Sequence, residues 1–136
     1  MKILLTGFGP FGKVIDNPTS RICKLFASES HIITRIFPVS YRDVTLQVDQ
    51  IITEAQWDLI VLLGVKAGSR SLTLETAAEN FILAGRPDAS GYQPVNNHIN
   101  INGPRQYKTT VNVPAIVEHL TCRNIEFDIS TDAGGY

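Results

Sequence analysis

Cysteine, methionine and tryptophan are nearly absent from this chain: 136 residues hold two, one and one of them. The two cysteines, Cys23 and Cys122, form no C-x-x-C and have no secretory leader beside them, so neither a disulfide framework nor a zinc site is expected and both read as buried thiols. Charge of one sign is also missing. Twelve basic residues face thirteen acidic ones, net -1, with no Lys/Arg run to make an electrostatic footprint for nucleic acid or an anionic membrane. Long apolar runs are lacking too. The opening Met1 to Leu5 is broken at Thr6-Gly7, far short of the ~20 residues of a membrane span. A cytoplasmic protein is expected, with no nucleic-acid or membrane partner.

What is present is the composition of one soluble globular domain over residues 1 to 136, 43% hydrophobic and 18% charged. Lys2 to Thr6 predicts a buried strand that runs into a glycine-rich turn from Phe8 to about Asn17. Pro18 to Ser28 predicts a helix with Asn17 as N-cap, Pro18 in its first position and Ile22, Leu25 and Phe26 on its sheet-facing side. His31 to Val39 suits a strand, and Asp43 to Glu54 sets Val44, Val48, Ile51 and Ile52 at helical spacing. Trp57 to Gly64 is a continuous apolar strand, the pattern of a sheet covered on both faces. Alternation of strand and helix predicts a mostly parallel α/β sheet.

Further on, Leu72 to Thr76 alternates like a half-buried strand. Gly85 to Tyr107 is a long polar stretch rich in Gly, Pro and Asn, expected to be a substrate-side loop or a contact in a homo-oligomer. Val113 to Cys122 predicts a helix capped by Asn112, and Ile125 to Ser130 a final strand leading into the turn at Ala133-Gly134-Gly135.

Ligands of open α/β sheets bind beyond the carboxyl ends of strands, which here lead into three unusual turns: Gly7 to Gly12, Gly64 to Gly68, and Ala133 to Tyr136. Gly7-x-Gly9-x-x-Gly12 matches the dinucleotide pattern only weakly. It has no P-loop ending and no acid some 20 residues on at the end of a second strand, and Phe8 and Phe11 flanking Pro10 build an apolar slot in place of a phosphate cradle.

Thr6-Gly7-Phe8-Gly9-Pro10-Phe11-Gly12, Asn17-Pro18-Thr19 and Ala133-Gly134-Gly135-Tyr136 together resemble pyrrolidone carboxyl peptidases, the type I pyroglutamyl peptidases. The resemblance implies a three-layer α/β/α sandwich and a cysteine exopeptidase that removes N-terminal pyroglutamate through a thioester, with no metal or cofactor. Phe8 and Phe11 would sandwich the flat lactam of a pyroglutamyl peptide; the alternative is that both rings only pack the core. Asn17 and Asn80 fall on substrate-side positions. Glu75 would orient and charge-stabilise a histidine that activates a cysteine, beside the plain alternative of an exposed carboxylate. Pro87-Asp88 and Gly91 also keep the family's spacing. Two departures accompany the match. The turn Gly64-Val65-Lys66-Ala67-Gly68-Ser69-Arg70 has its alanine and arginine each displaced by one, and the family's oxyanion arginine falls on Gly85, leaving Arg86 one place late.

The family's cysteine and histidine are expected beyond Tyr136, so the chain reads as C-terminally truncated, inactive by itself, and open on one face of the Trp57 to Gly64 strand. A substitute pair of Cys122 with His119 on one helix is the weakest alternative. Two others are a non-catalytic relative that holds a lactam without cleaving it, and a general α/β binding domain.

Overall fold

The computed structural model describes residues 1–66 and 68–134. Its contacts divide the chain into two compact units, Met1–Lys66 with Pro87–Gln93, and Ala67–Arg86 with Pro94–Tyr136.

The first unit runs β1 (Ile3–Phe8), α1 (Pro18–Phe26), β2 (Ile32–Phe37), α2 (Tyr41–Glu54) and β3 (Leu59–Leu62). The three strands form a parallel sheet in the order β2-β1-β3, with Leu4 opposite both Ile33 and Ile60. Successive side chains of β1 point to opposite faces. Leu4 joins Phe37 and Ile51 in the core, with Phe8, Val44, Val48 and Trp57 packed around them, which puts α2 on that face. Gly7 points the other way, at α1. A Cβ on Gly7 would lie 2.7 Å from the Thr19 main-chain oxygen, so helix and strand approach closely only because position 7 has no side chain.

That approach corrects the expected face of α1. The side chains beneath it are Thr19, Ser20 and Cys23, all buried, while Ile22, Leu25 and Phe26 are 37%, 76% and 43% exposed. Leucine or phenylalanine does not fit in so narrow a gap, and small residues fill it. The strand before it also runs further than expected, through Gly7 and Phe8, because Phe8 pairs with Phe37 on β2. On the third strand Ile60 and Leu62 are 42% and 71% exposed, so the continuous apolar run of β3 is not covered on both faces.

The second unit holds β4 (Leu72–Glu75), β5 (Ala77–Glu79), β6 (Phe81–Ile82), β7 (Asn97–His98), β8 (Gln106–Lys108), α3 (Val113–Cys122) and β9 (Phe127–Ser130). Strands β4 and β9 pair in parallel, Leu72 opposite Phe127 and Glu75 opposite Ser130. Two short antiparallel pairs, β5 with β8 and β6 with β7, organise much of the polar stretch that reads as irregular in the sequence. Asn112 caps α3, its side chain accepting from the Ala115 N–H at 3.1 Å. The molecule is α/β with mostly parallel pairing, as expected. Among the described residues no helix is long and apolar enough to cross a membrane.

Candidate functional site

The predicted site residues divide between the two units: Phe8, Phe11 and Asn17 in the first, Glu75, Asn80 and Arg86 in the second.

In the first unit, β1 delivers Phe8 to the start of the glycine-rich turn. Its ring is half-buried and meets Phe37 edge-on, centroids 6.2 Å apart at 61°. Phe11 is half-buried too, held by a reciprocal pair of main-chain bonds with Val14 at 3.0 and 2.8 Å. The turn is long, with α1 beginning only at Pro18, so no helix N-terminus follows Gly12 to meet a phosphate.

Asn17 is 1% exposed and its amide is occupied by the turn itself. Nδ2 donates to the Gly9 carbonyl at 3.0 Å, and Oδ1 accepts from Thr19 N at 3.0 Å and from the Thr19 hydroxyl at 2.7 Å. These bonds give Asn17 a holding role in the turn. Thr19, which enters the sequence match only as the end of Asn17-Pro18-Thr19 with no role of its own, in turn accepts from the Phe8 N–H at 2.8 Å. A Thr two residues after an N-cap Asn-Pro was the available signal.

In the second unit, Glu75 closes β4 at the carboxyl end of the β4 and β9 pair, where an open parallel sheet places its ligands. The turn after β9 folds back against it. Thr76 donates to the Ser130 carbonyl from its N–H at 2.8 Å and its hydroxyl at 2.9 Å, and Ala133 N donates to Ala77 O at 3.2 Å. Glu75 is half-buried, and its Oε2 is fully buried with no hydrogen-bond partner among the described residues. The Thr73 hydroxyl, on the same face of the strand, is in the same condition. A buried acceptor without a donor is costly, and such groups concentrate at sites of function.

Asn80 repeats the lesson of Asn17. It is 1% exposed, with Nδ2 donating to Asn100 O at 2.7 Å and Pro104 O at 2.9 Å while Oδ1 accepts from Asn100 N at 2.8 Å. All its bonds go to the loop it anchors. Arg86 is exposed, on the irregular stretch after β6. Of the departing turn Gly64 to Arg70, Ala67 lies outside the described residues, as do Gly135 and Tyr136 of the last turn.

The same loop carries an anchor that the spacing of Pro87-Asp88 and Gly91 only hinted at. Asp88, in the first unit, is buried and binds four donors: Ser90 Oγ at 2.6 Å, Ser90 N at 2.9 Å, Tyr92 N at 3.0 Å, and Tyr41 N at 2.9 Å. The last opens α2, so the carboxylate sits at a helix N-terminus. The Ser90 hydroxyl, and after it the main-chain N–H groups of Tyr41, Tyr92 and Ser90, hold the Asp88 carboxyl below its usual range against the opposing effect of burial. Arg42 lies over the Tyr92 ring, 4.1 Å from its centroid, on the same loop. These bonds tie the stretch down.

The thiols differ from each other. Cys23 is 1% exposed beneath α1, its sulfur 3.9 Å from Leu5 O, and burial pushes its pKa up. Cys122 is exposed, which corrects the expectation of two buried thiols. Its neighbour His119 lies against Arg123, and His98 is engaged by the Asn80 carbonyl at 3.1 Å and the Phe81 ring. No group of three or more His, Cys, Asp or Glu among the described residues is placed to hold a metal. An open groove of about 770 Å³ lies at the other end of β4 and β9, between Arg70, Ser71, Asn124 and Asp128, away from Glu75.

Comparison with known proteins gives a consistent picture. The family model described as pyroglutamyl peptidase matches residues 1–136. The pyrrolidone-carboxylate peptidase of Thermococcus litoralis is 34% identical over 139 residues, which take in 99% of this chain and 63% of that protein. The Thermococcus onnurineus enzyme is 34% identical, over 100% of this chain and 70% of its own. Among solved structures, Bacillus amyloliquefaciens pyroglutamyl peptidase I superposes with a TM-score of 0.89 at 32% identity, covering 99% of this chain and 68% of that one. Pyrrolidone carboxyl peptidase from Fervidobacterium islandicum gives 0.91 at 34%, covering 100% and 67%. The chain thus spans about two thirds of the length of these relatives.

Proposed function

This chain belongs to the pyroglutamyl peptidase family, and on that premise we propose that the protein acts on peptides with an N-terminal pyroglutamate, as a cysteine exopeptidase. The observation that carries the reading is Glu75: a carboxylate with one oxygen buried and unpaired among the described residues, at the carboxyl end of a parallel strand pair, beside the turn that follows Ser130. A histidine N–H donated to that oxygen would be fixed in one tautomer and stabilised once protonated, the arrangement that activates a thiol. Phe8 and Phe11 serve as the walls for the lactam, a flat uncharged ring suited to an apolar slot with few polar contacts. Asn17 and Asn80 hold these segments in place, and Arg86 is the nearest match in sequence to the family's oxyanion donor.

Two halves of this reading are tested apart: that Phe8 and Phe11 hold the pyroglutamyl group, and that Glu75 serves its turnover. Calorimetric titration of the chain with pyroglutamate tests the first half; saturable heat that disappears in Phe8→Ala supports it, and no heat in the parent refutes it. The second half is tested with pyroglutamyl-aminocoumarin in a protein that carries the relatives' full length. There Glu75→Gln is expected to lower kcat by about 10²-fold or more with KM little changed, and an unchanged kcat removes Glu75 from the mechanism.

A further inference from the structure

We propose that Thr19 is the positioning residue of the lactam slot, acting on Phe8 through its hydroxyl; the inference rests on the reading of Phe8 as a wall of that slot. The short hydrogen bonds around it set one direction, the Phe8 carbonyl being a more distant acceptor for the Thr19 hydroxyl at 3.5 Å. The Phe8 N–H can only donate, so Thr19 Oγ1 accepts it at 2.8 Å. Asn17 Oδ1 can only accept, so the Thr19 hydroxyl proton goes there, at 2.7 Å. Asn17 Nδ2 then donates to the Gly9 carbonyl at 3.0 Å. The result is a closed circuit from the N–H of Phe8, through two side chains of the α1 start, back to the carbonyl of Gly9. Gly9 N is itself tied to Phe37 O at 2.8 Å.

The circuit spans the backbone on both sides of the Phe8 ring. Thr19 is 4% exposed and Asn17 1%, so water has little access to replace a missing member. The bare Gly7 brings the start of α1 close enough for a side chain as short as threonine to reach the strand. With its backbone held on each side and its ring edge against Phe37, Phe8 is positioned before any ligand arrives.

Two substitutions separate the hydroxyl from the bulk. Thr19→Ser keeps the circuit and loses a methyl group; Thr19→Val keeps the shape and breaks the circuit. Pyroglutamate affinity by calorimetry is expected to stay within about threefold in Thr19→Ser and to fall about tenfold in Thr19→Val, the effect of one buried hydrogen bond. Hydrogen exchange of the Phe8 amide, which needs no ligand, should quicken about tenfold or more in Thr19→Val and not in Thr19→Ser. Should the valine variant not fold, Thr19→Ala must show the same loss. Parent-like affinity and exchange in Thr19→Val overturn the inference, and so does an equal loss in both variants, which would mark a packing role. A parent chain that binds no pyroglutamate overturns the slot reading and the binding role of Thr19 with it. In that event the Phe8 exchange rates still decide whether the hydroxyl holds the strand.

Discussion

Gly7 and Thr19 set the distance between the first strand and the first helix: a Cβ at position 7 would come within 2.7 Å of the Thr19 carbonyl oxygen, which is main chain and cannot swing aside. Gly7→Ala should therefore push α1 off the sheet and lower the unfolding free energy by about 1 to 3 kcal/mol, the usual effect of overpacking. Urea denaturation measures it. A stability equal to the parent's would show that the helix can shift freely and that the close approach is incidental.

Glu75 presents the opposite case. Its buried, unpaired oxygen is a cost to the fold of these residues, and a leucine of similar volume would remove it. We expect Glu75→Leu to raise stability by about 1 kcal/mol, a gain of the sort found when residues kept for activity are replaced. Thermal and urea unfolding of the pair of proteins decide it. A loss of stability would mean that the carboxylate is already satisfied in solution.

Asp88 links stability to pH. Its pKa is lowered in the folded chain, first by the Ser90 hydroxyl, so the folded state binds this proton less readily than the unfolded state does. Its contribution is accordingly complete above the unfolded value, near pH 4, and fades as the pH falls through the lower folded value. Asp88→Asn should melt below the parent at pH 7, and the difference between them should shrink on acidification below about pH 4. Parallel melting curves across that range would remove Asp88 as the acid-sensitive group.

Only one of the two thiols should react readily in the folded chain. Cys122 is exposed, whereas Cys23 is buried with its pKa raised and so has little thiolate to offer at pH 8. Ellman's reagent is expected to find one fast thiol per native chain and two after denaturation. Two fast thiols in the native protein would mean that α1 opens readily from the sheet.

Local chemistry was legible in the sequence and long-range contact was not. Asn17 with Pro18, and Asn112 with Pro114, announce their helices because capping depends on neighbours a few residues away. Hydrophobic periodicity found Ile51 on the buried side of α2, yet misplaced the buried side of α1, since what lies beneath that helix is decided by a glycine eleven or more residues earlier in the chain. The pairs β5 with β8 and β6 with β7 were hidden in a polar stretch because their partners are brought together by the side chain of Asn80, whose three bonds reach Asn100 and Pro104. At the site, motif spacing pointed to Glu75, Phe8 and Phe11. That Asn17 and Asn80 are buried and bonded within their own loops is something no spacing reveals.

The order β2-β1-β3 has a consequence for how the protein is made. β1, made before β2 and β3, becomes the middle of its sheet, and its second edge is closed only by residues 59 to 62. At 5 to 20 residues per second the intervening segment takes roughly 3 to 11 s to synthesise. For those seconds Leu4, Leu5 and their neighbours present a bare apolar edge to the cell, the kind of edge on which other chains pair. The first sheet is thus most exposed to misassembly, and to rescue by chaperones, during its own translation.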